Sequence, residues 1–232
     1  MAQIQTVLGP IEDSQLGFTL SHEHVIVSNG EDSAHYPWLY DRPATLAFEL
    51  LNEPHENLTA GKWNAILKDA VAIVRRSNPT RTIVVGPVAW NGISELKSLE
   101  LPEADRNLLV TVHYYGPFKF THQGAHWLPE SSRPPTGQKW TGSDEERDAV
   151  TREFDVAALW GLKHRRPIYL GEFGAIQHAD LESRARWTKF IAEEAAKRRM
   201  SSAYWEFCSG FGAYDPQRKE WLAPLRAALV GQ

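Results

Sequence analysis

The sequence predicts an α/β fold of parallel β/α units, of the barrel type but incomplete or rearranged. Three observations lead there. Short apolar, β-branched runs alternate with amphipathic helical patterns, about six such runs occur, and the 232 residues fall short of the roughly 250 that eight units usually take.

The first candidate strand is 18–24 and the second 46–51. Between them, residues 25–45 show no strand or long helix, and a composition break falls near 41–46. After Thr59, the apolar residues Trp63, Ile66, Leu67, Ala70, Val71 and Val74 keep a 3.6-residue period until Asn78-Pro79 stops the helix. Residues 82–86 and 108–113 read as the third and fourth strands. Pro, Gly, His and Trp then crowd into a long loop over 116–142, a length usually kept for function. Ser143 with Glu146 forms a capping-box pattern opening a helix to about Leu162, with Val150, Phe154, Ala157 and Ala158 on one side. Residues 168–172 are the fifth strand. Asp180 caps a helix with the inward stripe Trp187, Ile191 and Ala195, and its Lys197-Arg198-Arg199 end suits the negative pole of the helix dipole. The sixth strand is 203–208, and a last helix carries Trp221, Leu222, Leu225, Ala228 and Leu229.

With 42% hydrophobic and 23% charged residues, the chain can bury a substantial core and reads as one barrel-like domain over 1–232. A net charge of −4 and a pI near 6.1 leave no basic excess for nucleic acid or an acidic membrane surface. The single cysteine, Cys208, excludes an intrachain disulfide. The N-terminus has no basic start or apolar signal core, and no run approaches the roughly 20 apolar residues of a membrane span, so the chain as written is expected in the cytoplasm.

Two carboxylates stand out. Glu53, in Leu50-Leu51-Asn52-Glu53-Pro54, and Glu172, in Tyr169-Leu170-Gly171-Glu172-Phe173-Gly174, each end an apolar run. In a parallel α/β fold, chemistry happens at strand ends. A pair of carboxylates there suits glycoside cleavage, one as proton donor and one as nucleophile. Nine tryptophans accompany them. Trp63, Trp187 and Trp221 fall on helical apolar faces and are expected in the core, whereas Trp90, Trp127, Trp140 and Trp205 fall in loops or at strand ends, where flat rings can stack on sugars.

From about Thr45 to Leu229 the sequence resembles the C-terminal five-eighths of a glycoside hydrolase family 5 enzyme, the cellulase (endoglucanase) family. Four motifs in the right order carry the resemblance: Asn52-Glu53-Pro54, His113-Tyr114-Tyr115, Gly171-Glu172-Phe173-Gly174 and Tyr204-Trp205-Glu206-Phe207. The resemblance implies a (β/α)8 barrel, with these segments as strands four, six, seven and eight, and a retaining hydrolase of β-1,4-glucan that needs no cofactor. Its substrate would be a β-glucan or cello-oligosaccharide, and the parent family is often secreted. Glu53 would be the general acid and Glu172 the nucleophile. Asn52 would hold the sugar 2-hydroxyl, His113 and Tyr115 would position and tune the carboxylates, and Trp205 would floor the sugar subsite. Apart from the resemblance, Trp90 is counted as substrate-binding from its place in a loop or at a strand end.

The start of the chain resembles a different family. Thr6-Val7-Leu8-Gly9-Pro10-Ile11, Leu16-Gly17-Phe18-Thr19-Leu20 and Ser21-His22-Glu23-His24-Val25 are similar to the start of phosphotriesterase-like lactonases of the amidohydrolase superfamily. That resemblance implies that His22 and His24, on one face of a first barrel strand, bind a divalent metal such as zinc, cobalt or manganese. The family's bridging lysine, two further histidines and aspartate have no match downstream.

The chain is therefore read as chimera-like, with residues 1–42 lactonase-like and 45–232 corresponding to cellulase strands four to eight. Either it is a recombined chimera or the cellulase part lacks its first three strands. The arginine and histidine that family 5 enzymes carry on strands two and three then have no counterpart, and Arg42 and His35 fall in the irregular segment. A nearby cation lowers a carboxyl pKa by about 1–3 units, so without that arginine impaired activity is expected. An open sheet edge also invites a homodimer. The alternatives to a glycosidase are a metal-dependent lactonase or phosphotriesterase using His22 and His24, and a non-catalytic chimeric barrel or glucan-binding relic.

Overall fold

The computed structural model describes residues 3–6, 9–12 and 47–230 of the chain. Strands β1 (Gln3–Thr6) and β2 (Gly9–Glu12) pair antiparallel, with Gln3 opposite Glu12. The main element is a five-stranded parallel sheet whose spatial order follows the sequence: β3 (Phe48–Glu49), β4 (Ile83–Val85), β5 (Leu108–Tyr114), β6 (Ile168–Phe173) and β7 (Ser201–Tyr204). Its helices are α1 (Ala60–Ser77), α2 (Asp144–His164), α3 (Leu181–Lys197) and α4 (Ala223–Val230). The result is a (β/α) half-barrel, as expected of an incomplete barrel. The expected strand 18–24 lies outside the described residues, and five of the six expected strands are present.

The sheet is buried on both faces, which is why its strands read as nearly unbroken apolar runs. Ile83, Val85, Leu108, Val110, Val112, Ile168 and Leu170 belong to the large core shared with the helices. Val84, Leu109 and Tyr169, with Ala47 and Ala203, form a smaller cluster on the other face, toward the barrel interior. Alternation along the strands sorts the two sets.

Helix signals behave as their chemistry requires. Trp63, Leu67 and Val71 of α1 are buried, and the Trp63 indole donates to the Gly86 carbonyl at 2.8 Å, tying α1 to the end of β4. At the start of α2, Ser143 and Glu146 satisfy each other's backbone N–H groups. Asp180 accepts from the Ser183 N–H at 2.8 Å at the start of α3. Past its end, Arg198 pairs with Glu194 at 2.8 Å and Asp155 at 2.7 Å.

Four expectations need correction. The second strand shrinks to Phe48–Glu49, and the last begins at Ser201 and ends at Tyr204, so Trp205 lies just past it. Trp140 is fully buried, its ring 5.7 Å from Phe190, and is a packing residue with no sugar-facing surface. Trp221 is half exposed on a β-hairpin, β8 (Tyr214–Asp215) with β9 (Glu220–Trp221), because α4 begins only at Ala223, where Pro224 suits the first turn. Leu225 remains core. Among the described residues, no helix is long and apolar enough to cross a membrane.

Candidate active site

All five parallel strands end on one side, so the residues just past those ends converge. Glu53 follows β3 in a left-handed conformation, φ 49°. β5 supplies His113 at its end and Tyr115 just beyond, and β6 supplies Glu172.

Glu172 reaches the interior through a slip in register. Leu170 pairs with Val112, but the next partners are Glu172 and His113, so Gly171 is an extra residue in β6. Strict alternation would place Glu172 with Ile168 and Leu170 on the helix side; the bulge turns it to face His113. Only glycine fits there, since a Cβ on Gly171 would lie 2.2 Å from Thr111 Oγ1 and 3.2 Å from His113 Nε2.

The polar groups form one connected set. His113 Nδ1 lies 2.8 Å from Glu53 Oε1 and 3.5 Å from Glu172 Oε2, and the Tyr115 hydroxyl donates to Glu172 Oε2 at 2.6 Å. One donor atom each from Glu53, His113 and Glu172 lies within 4.8 Å of the others. Carboxyl oxygens brought within that limit suit the close pair, roughly 5–5.5 Å apart, of a retaining enzyme better than the wider pair of an inverting one. Among the described residues no other group of His, Cys, Asp and Glu converges so closely, so any cation here would compete with protons for these atoms. The two carboxylates are unequal: the Glu172 side chain is 6% exposed and that of Glu53 24%. Glu53 thus faces the mouth, while Glu172 is held from behind.

Neighbouring groups extend the set. Burial pushes the Glu49 carboxyl up to about 7, with His113 pulling it down and Glu172 and Glu53 pushing it further. Burial and the adjacent Glu172 hold the Tyr115 hydroxyl well above its ordinary range, so it remains a donor. Burial pushes His122 down to about 4, making it a neutral flat ring, edge-on to Tyr115 and Phe211 and stacked on Phe118 at 4.2 Å.

The remaining expected residues take definite places. Asn52 precedes Glu53, and its Oδ1 is buried with no hydrogen-bond partner among the described residues. Trp205 packs on the cluster of Ala125, Ile176 and Phe211 that also backs Tyr115. Trp90 is half exposed on the rim, stacked on His55 at 5.0 Å, with its N–H donating to the Pro54 carbonyl at 3.3 Å. Trp127, also half exposed, joins the His122–Phe211 aromatic group. His22 and His24 lie outside the described residues, as do Arg42 and His35. Sequence reasoning passed over Glu49 and Asn91. A carboxylate inside the apolar run Ala47-Phe48-Glu49-Leu50-Leu51 was a signal for the first; Asn91-Gly92 marks a turn but says nothing of an inward side chain.

The model of the cellulase family, glycosyl hydrolase family 5, matches residues 38–210. Endoglucanase H of Acetivibrio thermocellus is 32% identical over 179 residues, which is 75% of this chain and 18% of that protein. Cellodextrinase A of Ruminococcus flavefaciens is 31% identical over 156 residues, 67% of this chain and 46% of that one. The chain spans from 18% to 59% of the length of the first curated relatives it matches. Among solved structures, Thermotoga maritima Cel5A in complex with cellobiose superposes with a TM-score of 0.78 at 47% identity, covering 87% of this chain and 67% of that one. A hyperthermophilic endo-β-1,4-glucanase in complex with substrate gives 0.79 at 39% identity, covering 87% and 68%.

Proposed function

The chain belongs to the cellulase family, glycosyl hydrolase family 5, and on that premise we propose that it is a retaining β-glycosidase acting on β-1,4-glucans. The observation that carries this reading is the convergence of Glu53 and Glu172 on one imidazole, with Tyr115 holding the more buried carboxylate. Glu172 attacks the anomeric carbon and forms a glycosyl-enzyme while Glu53 passes its proton to the departing glycosidic oxygen. In the second half, Glu53 takes a proton from water, and that water displaces Glu172. The displacement calls for no cofactor.

Exposure fits these roles. Glu53, open to the mouth, can meet both leaving group and water, whereas Glu172 has one approach. Asn52 Oδ1 has no protein partner among the described residues and would accept from a sugar hydroxyl once the side chain turns toward the mouth, and Trp205 and Trp90 offer flat rings. The relatives crystallised with cellobiose or substrate support a cello-oligosaccharide as ligand. The reading predicts release of chromophore from an aryl cellobioside, abolished in Glu172→Ala and in Glu53→Ala. No release from cellobioside or soluble cellulose by the unaltered protein would overturn it.

Two narrower proposals go with it. The N-terminal resemblance supports a composite chain in which 1–42 carries a lactonase-like strand with His22 and His24 as metal ligands; absence of stoichiometric zinc, cobalt or manganese after purification removes that part. Among the described residues the two-residue β3 is an edge of the sheet, which supports pairing of two copies, and a monomer mass in light scattering would remove that proposal.

A further inference from the structure

Past the end of β4 the chain makes an unusual turn. Ala89, Trp90 and Asn91 are consecutive left-handed residues, with φ of 56°, 57° and 55°. L-residues avoid this region, and such a run persists only where its surroundings over-determine it. Two bonds fix it: Trp90 N–H to the Pro54 carbonyl from outside, and Gly92 N–H to the Ala89 carbonyl at 3.0 Å, which closes the turn on itself. The turn sends Trp90 to the rim and Asn91 inward, where it is fully buried.

Asn91 meets His113 there. Its Nδ2 lies 3.2 Å from His113 Nε2. An amide nitrogen only donates, so Nε2 must offer its lone pair and the ring proton must sit on Nδ1. That proton points at Glu53 Oε1, with Glu172 Oε2 next nearest. Gly86 makes the room, because a Cβ there would lie 2.1 Å from Asn91 Oδ1.

We propose that Asn91 is a positioning residue that holds His113 as the neutral tautomer protonated on Nδ1, so that the two carboxylates share a neutral donor and no cation. The ring needs such a restraint. It faces Glu53 and Glu49 from the β3 side, Glu172 from β6 and the Tyr115 hydroxyl through Glu172, so acceptors surround its Nδ1. An amide nitrogen at Nε2 offers no acceptor for a second ring proton. The catalytic consequence rests on the glycosidase reading: an imidazolium beside Glu53 would strip the acid of the proton it must deliver.

Nitrogen-15 NMR of labelled histidine, with His113 assigned by His113→Gln, tests the tautomer without any turnover. The unaltered protein is expected to show Nδ1–H and a bare Nε2 near neutral pH. In Asn91→Asp, a carboxylate accepts from Nε2–H, so the ring should become doubly protonated and the alkaline limb of kcat/KM should move to lower pH by about one unit or more. An Nε2–H or imidazolium signature in the unaltered protein overturns the proposal even if the variant does not fold. So does a folded Asn91→Asp with signature and alkaline limb unchanged. Should the unaltered protein hydrolyse no cellobioside, the glycosidase reading falls, and the spectrum still decides on Asn91.

Discussion

Tyr115 and Glu49 show two opposite ways of handling a carboxyl group in the half-barrel. Tyr115 donates to Glu172 at 2.6 Å, a hydrogen bond to a charged group of the kind worth about 1.5–3 kcal/mol. Tyr115→Phe should therefore lower kcat roughly 10- to 100-fold in single-substrate kinetics, with a smaller change in KM. Glu49 receives no such help at Oε1, which is buried without a partner among the described residues, and it keeps its proton to about pH 7. In the unfolded chain it would release that proton near 4.5. Between those values the folded state binds more protons, so the contribution is fully present below the lower pH and lost as pH rises through the upper one. Urea unfolding at about pH 5 and about pH 8 should show a loss of up to about 3 kcal/mol, and Glu49→Gln should flatten it. An equal slope in both proteins would contradict the assignment.

Elements decide where those residues point. The β6 bulge is the clearest case: Glu172 was legible as a site residue from its motif, but period-two alternation alone would have aimed it at the helices. Gly171→Ala should cost about 1–3 kcal/mol of stability by overpacking, and activity should fall further than stability explains because the added Cβ crowds Thr111 and His113. Thermal unfolding beside cellobioside kinetics separates the two effects. Helix starts were readable because a cap is local chemistry, as Ser143 with Glu146 and Asp180 with Ser183 show. Ser143→Ala should lower stability by about 1 kcal/mol, roughly 2–4 °C in Tm, with catalysis untouched. Aromatic placement was less readable. Trp140 and Trp221 exchanged their expected roles because burial of a loop or hairpin ring is set by what lies beside it in space, Phe190 for one, Phe207 and the cross-strand Tyr214 for the other. The inward aim of Asn91 was hidden for a like reason, depending on a left-handed run that composition does not announce.

At the scale of the molecule, the site and the sheet share one free energy. A ligand that binds only the folded chain stabilises it by about 2.7 kcal/mol at roughly 100 times Kd, or about 5–11 °C in Tm for this size. A cello-oligosaccharide added to Glu172→Ala, which cannot consume it, should give that shift in a thermal melt; none at saturating sugar would argue against a glucan site. The strand order carries a further consequence. Because β3 to β7 neighbour one another in the order in which they are written, each strand emerging during synthesis meets an edge that is already finished. Assembly can then run as a zipper from N-terminal to C-terminal, with one long crossover to close at each step, a cost in loop entropy that grows only slowly with length. The pocket comes last: His113 is in place well before Glu172 arrives, and Trp205 follows both, so a nascent chain released early would keep much of its sheet and yet hold only one of its two carboxylates.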